Sequence, residues 1–386
     1  MDFALTPDQK ALQAAARRFA REQMPAVARA CEDTDEPPSH EWRRRFAEMG
    51  FLGVNTPAAH GGLGLGNLEA VLVLEEFAQV SVAVAFPIFE ALVGPVKAIE
   101  RFGNEDLKRR VLPRVVKGEM QVAIAMSELH AGSGLTDLTT KARVDGAHIV
   151  LDGQTRWTSG GGHAEGYVVY CRLSDAPGAK GIGAVFVELG TPGLGFGKRE
   201  ALMGFRGIPS ADIHFDGVRV PAANLIVPAG GFGKLMEAFD LERCGNATMS
   251  LGIAAGALES ALAYAQERKQ FGKPIVDFQA IQMKLAEMKM KVEAARLLIH
   301  RAVVNAAAGL PSVLDSSVAK CFANEMVREV TGLAVQVMGG YGYAKAYGAE
   351  QRMRDAWAWG IAGGTIDIQK INIASAMAGR RFDQRK

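Results

Sequence analysis

The chain has 386 residues, 48% of them hydrophobic and 22% charged, which is globular composition with room for two or three domains and excludes a disordered scaffold. Lys and Arg number 44 against 42 Asp and Glu, a net charge of +2, so there is no electrostatic footprint for nucleic acid or an anionic membrane surface. The short basic runs Arg43-Arg44-Arg45 and Lys108-Arg109-Arg110 read as solvated helix faces. Cys31, Cys171, Cys244 and Cys321 lie far apart without a Cys-x-x-Cys pair, which suits neither zinc nor a disulfide framework and points to a reducing compartment. The opening Met1-Asp2-Phe3-Ala4 has no basic and apolar leader pattern, and no uninterrupted apolar run approaches ~18 residues. The expectation is a soluble, cytoplasmic protein without a membrane or nucleic-acid partner.

Helix signals fill the first third. Thr6-Pro7-Asp8-Gln9 is a capping box with proline at the first helical position, and the helix it opens is predicted to end by Arg29 because Met24-Pro25 invites a break. Further helices are predicted around His40–Met49, Leu68–Gln79 and Val93–Phe102, with a glycine-rich loop over 61–66 that lacks the dinucleotide-binding register. From Met120 to about Val227 the texture turns to short β runs. Asp145-Gly146 and Asp152-Gly153 flank His148–Leu151, Tyr167–Arg172 and Ile182–Leu189 follow, and Ile213 and Phe215 alternate with polar neighbours before Val218-Arg219-Val220. This predicts an antiparallel barrel or sandwich. After Gly233 long helices return. Ile281, Leu285, Met288, Val292, Ala295 and Ile299 make one apolar stripe. Ala323, Val327, Val330, Ala334 and Val337 make a second, which Gly339-Gly340 stops. The reading is α+β: an N-terminal helical domain (1–119), a central β domain (120–230) and a C-terminal four-helix bundle (231–386).

The seven histidines show no metal-ligand spacing, and no Gly-x-Ser-x-Gly elbow exists. What remains is a set of Gly-, Ser- and Trp-bearing segments. Ser127-Glu128-Leu129-His130-Ala131-Gly132-Ser133, Arg156-Trp157-Thr158-Ser159-Gly160-Gly161, Met203-Gly204-Phe205-Arg206, Glu267-Arg268-Lys269-Gln270-Phe271-Gly272 and Gln336-Val337-Met338-Gly339-Gly340-Tyr341-Gly342-Tyr343 occur in that order. Taken singly these are a polar turn, a half-buried strand tryptophan and solvated helix ends. Together, over essentially the whole chain, they resemble the acyl-CoA dehydrogenase family, although Leu129 replaces a usual proline and Gly134 a usual aspartate.

That resemblance implies a flavoprotein. It assigns FAD to Met126, Ser127, Gly132, Ser133, Trp157, Ser159, Arg268, Gln270, Phe271, Gln336, Gly339, Gly340, Thr365 and Asp367, with Arg268 and Phe271 serving the FAD of a neighbouring subunit. It assigns the acyl-CoA to Ser133, Arg243, Glu90, Tyr343 and Gly364. It further implies a homo-oligomer, a tetramer built as a dimer of dimers, and an electron-transfer flavoprotein as the partner that reoxidises the flavin.

Many members of the family carry the α-proton base as glutamate in a Tyr-Glu-Gly-Thr stretch. The matching stretch here is Ile361-Ala362-Gly363-Gly364-Thr365, and Gly363 has no side chain to serve. Phe239-Asp240-Leu241-Glu242-Arg243 resembles the stretch that supplies the glutamate of isovaleryl-CoA dehydrogenase, which implies Glu242 as the base and leaves the Gly363 N–H as a donor to the thioester oxygen. Burial would raise the Glu242 pKa, and Arg243 would oppose the shift. An isolated Glu-Arg pair on a helix is equally an exposed ion pair. Glu90 is either the far end of an acyl pocket or a solvated charge. The Trp357 and Trp359 pair is either core or a cofactor-side wall, and Asp240 and Asp367 read as caps or cofactor supports. The chain also resembles 3-sulfinopropionyl-CoA desulfinases, non-redox relatives that share the Ile-Ala-Gly-Gly-Thr stretch. They have glutamine in place of Glu242 and an arginine where Phe86 stands.

Overall fold

The computed structural model describes residues 3–307, 309–382 and 384. Six helices come first: α1 (Pro7–Thr34), α2 (His40–Glu48), α3 (Asn67–Val80), α4 (Val82–Leu92), α5 (Val96–Phe102) and α6 (Glu105–Val116). The capping box at Thr6 forms in both directions, with the Gln9 N–H donating to Thr6 Oγ1 at 3.2 Å and the Thr6 N–H donating to Gln9 Oε1 at 2.9 Å. α1 does not end by Arg29 but continues through Pro25 to Thr34. Its buried stripe Ala16, Ala20, Met24, Ala28 and Cys31 crosses the proline without losing phase, so packing outweighs the ~3 kcal/mol that an interior proline costs. The helix predicted over 93–102 starts only at Val96, and α4 before it is buried on every side, which leaves no periodic pattern to read. The stretch Val82–Phe102 is apolar enough to cross a membrane by length and composition, yet its most apolar 18-residue window is wholly buried in the protein. Arg43 is not solvated: it is 3% exposed and forks onto Glu165, with Nη1 to Oε2 at 2.7 Å and Nη2 to Oε1 at 2.6 Å, which ties α2 to the β domain.

The sheet runs β1 (Val122–Ala125), β2 (Lys141–Asp145), β3 (His148–Ser159), β4 (Gly166–Arg172), β5 (Ile182–Glu188), β6 (Leu194–Phe196), β7 (Ser210–Pro221) and β8 (Leu225–Val227), in the spatial order β6-β7-β3-β2-β4-β5-β8. It is mixed, which corrects the antiparallel expectation. β1 pairs β4 in parallel (Val122 opposite Gly166), and β2 meets the end of β4 in parallel at Lys141 and Arg172. The β2–β3 hairpin lies between β1 and β4 in sequence and supplies a connection long enough for a parallel return. β4 and β5 are buried on both faces. Tyr167, Val169, Val185 and Val187 point into the core of the β domain, whereas Val168, Tyr170, Ala184 and Phe186 join the helices.

The chain then forms α7 (Phe232–Glu267), a small ribbon of β9 (Lys269–Gln270) and β10 (Lys273–Pro274), α8 (Gln279–Asn305), α9 (Val313–Met338), α10 (Gly340–Tyr343), α11 (Ala349–Trp359) and α12 (Ile366–Met377). α7 is the central post, packed on α3 from the first domain and on α8, α9 and α11 of its own. It reaches the first domain through glycines. A Cβ would lie 2.2 Å from Val93 Cγ2 at Gly245, 2.4 Å from Ala78 Cβ at Gly252 and 2.4 Å from the Gln79 carbonyl at Gly256. α8 buries Leu285, Met288, Val292, Ala295 and Ile299 and leaves Met283 (66%), Met290 (71%), Leu297 (49%) and Val304 (55%) exposed.

Gly252→Ala is expected to force α3 and α7 apart and destabilise the protein by about 1–3 kcal/mol, the usual range for overpacking. Thermal unfolding followed by circular dichroism checks this, and an unchanged midpoint would show that the spacing is not set there.

Candidate active site

A cavity of about 670 Å³ opens where the sheet meets α4, α7, α11 and the loop 360–365. On the sheet side, the pairing of β3 with β7 slips between Thr155 and Thr158. The bulge leaves Trp157 at φ +64°, 54% exposed as a residue, with the Arg156 guanidinium 4.4 Å from the ring centroid. The adjoining loop is pinned to the bulge: Ser127 Oγ donates to the Arg156 carbonyl at 2.9 Å, and the Arg156 N–H donates to the Ser127 carbonyl at 2.8 Å. Met126, Ser127, Gly132 and Ser133 line the cavity from this loop, and Trp157 and Ser159 line it from β3.

On the helix side Glu242 of α7 lines the same cavity, with no ion pair or hydrogen bond to its carboxyl group among the described residues. Burial lifts its pKa to about 8 against the opposing pull of Arg243 and Lys320. Glu90 of α4, 4% exposed, lies across the cavity wall and is no solvated charge. Its pKa stands well above the carboxylate range because of burial first and repulsion from Glu242 second. Arg243 is neutralised by Asp240, which also accepts from Ser316 Oγ at 2.7 Å, so Asp240 is a buried counter-ion rather than a cap or cofactor support.

The loop between α11 and α12 lines the same cavity as Glu242. Gly363, at φ +66°, lines the cavity, and none of the described hydrogen bonds uses its N–H. A side chain there would have room, the nearest atom being Phe239 Cζ at 3.5 Å, but the left-handed backbone selects glycine. The loop carbonyls are held from behind. Lys320 Nζ donates to the carbonyls of Trp359 (3.2 Å) and Gly364 (2.9 Å) and to Asn324 Oδ1 (3.1 Å). Asn246 Nδ2 donates to the carbonyls of Trp359 (3.2 Å) and Ala362 (3.4 Å), and Gln369 Nε2 donates to the Gly364 carbonyl at 2.9 Å. Asn324 Nδ2 donates to Asn246 Oδ1 at 2.9 Å, which closes the network. Burial pulls the Lys320 pKa down to about 7.

Arg243, Gly364 and Thr365 also line this cavity, and Thr365 caps α12. Arg268, Gln270, Gly339 and Gly340 do not reach it. They line a second, shallower cavity of about 520 Å³ on the bundle surface, where the Arg268 guanidinium sits 5.4 Å from the Tyr341 ring. Phe271 (94% exposed), Tyr343 (82%), Gln336 and Asp367 line neither cavity within one chain. The expected placement of Tyr343 beside the acyl group is therefore not seen; it lies on the outer end of α10. The sequence reading missed Lys320, Asn246, Asn324 and Gln369. A signal was present, since Lys320 and Asn324 stand one helical turn apart inside an apolar helix.

Three family descriptions match in order: acyl-CoA dehydrogenase N-terminal domain over residues 6–119, middle domain over 123–218 and C-terminal domain over 229–378. The chain belongs to the acyl-CoA dehydrogenase family. It is 39% identical to an acryloyl-CoA reductase (NADH) of Anaerotignum propionicum, over 98% of this chain and 97% of that protein. It is 34% identical to a 3-sulfinopropanoyl-CoA desulfinase of Advenella mimigardefordensis, over 99% and 96%. The structure of butyryl-CoA dehydrogenase from Megasphaera elsdenii superposes with a TM-score of 0.94 at 32% identity, covering 98% of this chain and 100% of that one. Acyl-CoA dehydrogenases are FAD flavoproteins and oxidoreductases. The cavity of this family member fits such a group: an exposed indole stands at its rim, beside hydroxyls of Ser127, Ser159 and Thr365 and the open backbone at Gly132, where a Cβ would meet nothing within 4 Å.

Lys320→Met would leave the buried carbonyls of Trp359 and Gly364 without their ammonium donor, at a cost of about 1–3 kcal/mol. Faster amide hydrogen exchange over 360–365 and a lower unfolding midpoint are expected, and unchanged exchange there would show that the loop holds itself.

Proposed function

We propose that this protein catalyses α,β-dehydrogenation of an acyl-CoA thioester to a 2,3-enoyl-CoA, with Glu242 as the base that removes the α-proton. The observation that carries the reading is a carboxyl group without a partner, lining the same cavity as Gly363, with a pKa of about 8. FAD, held by the 126–133 loop, Trp157, Ser159 and Thr365, supplies the acceptor for the β-hydride when bound. The chain itself does the rest. Phe86, Phe89 and Phe205 give the cavity apolar walls that keep water from the acyl group. Glu242 takes the α-proton, and the Gly363 N–H is the donor available to the thioester oxygen as negative charge develops on it. The loop carbonyls are already engaged by Lys320, Asn246 and Gln369, so this donor is preorganised and little reorganisation accompanies the reaction. An electron-transfer flavoprotein is the proposed electron acceptor.

The competing reading is a non-redox lyase of the desulfinase kind, whose substrate carries a sulfinate. Against it, every cation lining the cavity is already held by the protein: Arg156 by Glu200 and Asp212, Arg243 by Asp240 with only its Nε left without a partner, Arg354 by Glu350 and Glu32, and Lys320 by the loop carbonyls. Phe86 offers no charge. Homo-oligomerisation is proposed from the exposed apolar row of α8 and from the Arg268 cavity, which faces outward from one chain and is suited to a neighbour's cofactor.

In Glu242→Gln, anaerobic flavin reduction by a suitable acyl-CoA should fall about 10²–10⁴-fold with the FAD spectrum retained. Near-normal reduction in that variant would remove Glu242 from the role. Because the base must be ionised, kcat/KM should drop about tenfold per pH unit below about 8 and level off above it. A profile flat from pH 6 to 9 would contradict the assignment.

A further inference from the structure

Three side chains lining the cavity carry a buried polar atom without a hydrogen-bond partner: Arg243 through Nε, its charge answered by Asp240, and Glu90 and Trp359 on the wall built by Phe86 and Phe89. Glu90 is 4% exposed, and its Oε2 is buried without a hydrogen-bond partner. No described hydrogen bond joins it to Glu242, and no cation faces it. The indole of Trp359 packs on Phe89, the neighbour of Glu90 in sequence, with ring centroids 5.6 Å apart, and its Nε1 is likewise buried and unpartnered. Phe86 stacks on Phe89 at 5.8 Å and completes this wall. A plain hydrocarbon tail would leave both polar groups desolvated and unpaired, which is costly for buried donors and acceptors.

We infer that Glu90 is a specificity-determining residue that selects an acyl chain carrying an uncharged oxygen, a hydroxyl or oxo group, over both a plain hydrocarbon and a chain ending in a carboxylate. The inference rests on the acyl-CoA reading and narrows its substrate class. A neutral carboxyl group donates through its O–H, and the Trp359 N–H is a second donor, so an oxygen acceptor suits both. An anionic tail would have to be desolvated beside the two buried carboxyl groups of Glu90 and Glu242, with the charge of Arg243 already answered by Asp240 and Lys320 held by the loop carbonyls, so that only the Arg243 Nε is left as a cationic donor.

The test uses FAD-loaded protein and thioether analogues of CoA, which cannot be dehydrogenated, bearing alkyl, ω-hydroxyalkyl or ω-carboxyalkyl chains of four and six carbons. Affinities are measured by calorimetry. For at least one chain length the hydroxyalkyl analogue should bind about tenfold tighter than the other two. Glu90→Leu should bring its advantage over the alkyl analogue to within about twofold, while the near-isosteric Glu90→Gln keeps most of it. The flavin spectrum of each variant reports an intact site. The proposal is overturned if the alkyl or carboxyalkyl analogue binds as tightly as the hydroxyalkyl one, or if Glu90→Leu leaves the ratios unchanged. Binding of none of the analogues would overturn the acyl-CoA reading itself and the proposal with it. Binding that follows the expected order without any flavin reduction by oxygenated acyl-CoA thioesters would uphold Glu90 and count against dehydrogenation.

Discussion

The arrangement of this protein depends on how closely α7 can approach the N-terminal helices. At Gly245, Gly252 and Gly256 the missing side chains let α7 lie against Val93, Ala78 and the Gln79 carbonyl at distances that no Cβ would permit. The same helix carries Glu242, and the helix that follows α3 carries Phe86, Phe89 and Glu90. Backbone proximity at the seam therefore brings an acidic residue of one domain to the wall built by another, and the cavity is a product of domain packing rather than of any single domain. Cavities at domain junctions are common for this reason.

Desolvation then does most of the chemical tuning. Glu242, Glu90 and Lys320 are all withdrawn from water, and in each the charged form is disfavoured: the two acids are pushed up and the amine is pushed down. Arg243 moderates Glu242 but is itself answered by Asp240, so the local field at the base is smaller than its neighbour's formal charge suggests. The cluster of Lys320, Asn246, Asn324 and Gln369 works differently. Its members satisfy one another and the carbonyls of the glycine loop, and a fully bonded polar network in a dry interior is rigid.

Local signals carried much of the architecture. The capping box at Thr6, the Asp145-Gly146 turn and the apolar stripes of α8 and α9 are short-range patterns, and each appears in the fold where its residues lie. Long-range terms were not readable in the same way. The passage of α1 through Pro25 depends on the domain it packs against, the parallel return of β4 beside β1 depends on which strands meet, and the burial of Arg43 depends on Glu165 far along the chain. α4 is apolar all round and has no period to betray it. Within the site, the Ser127–Ser133 and Arg156–Gly161 segments were visible as motifs and do meet at one cavity. The conformation that turns Trp157 outward is a bulge, set by the register between β3 and β7, and no residue in the motif announces it. Lys320 and Asn324 carry a local signal, one turn apart in an apolar helix, but the carbonyls of Trp359 and Gly364 that hold the amine lie far along the chain, and no short-range pattern places them there.

The outer row of α8 has a geometric consequence. Met283, Met290, Leu297 and Val304 recur at intervals of seven, but a straight α-helix advances by 3.6 residues per turn, so such a row drifts by about 20° per interval and roughly 60° from end to end. A second helix lying along all four residues would have to wind around α8 with a left-handed coil, whereas a straight one crossing it could cover only part of the row.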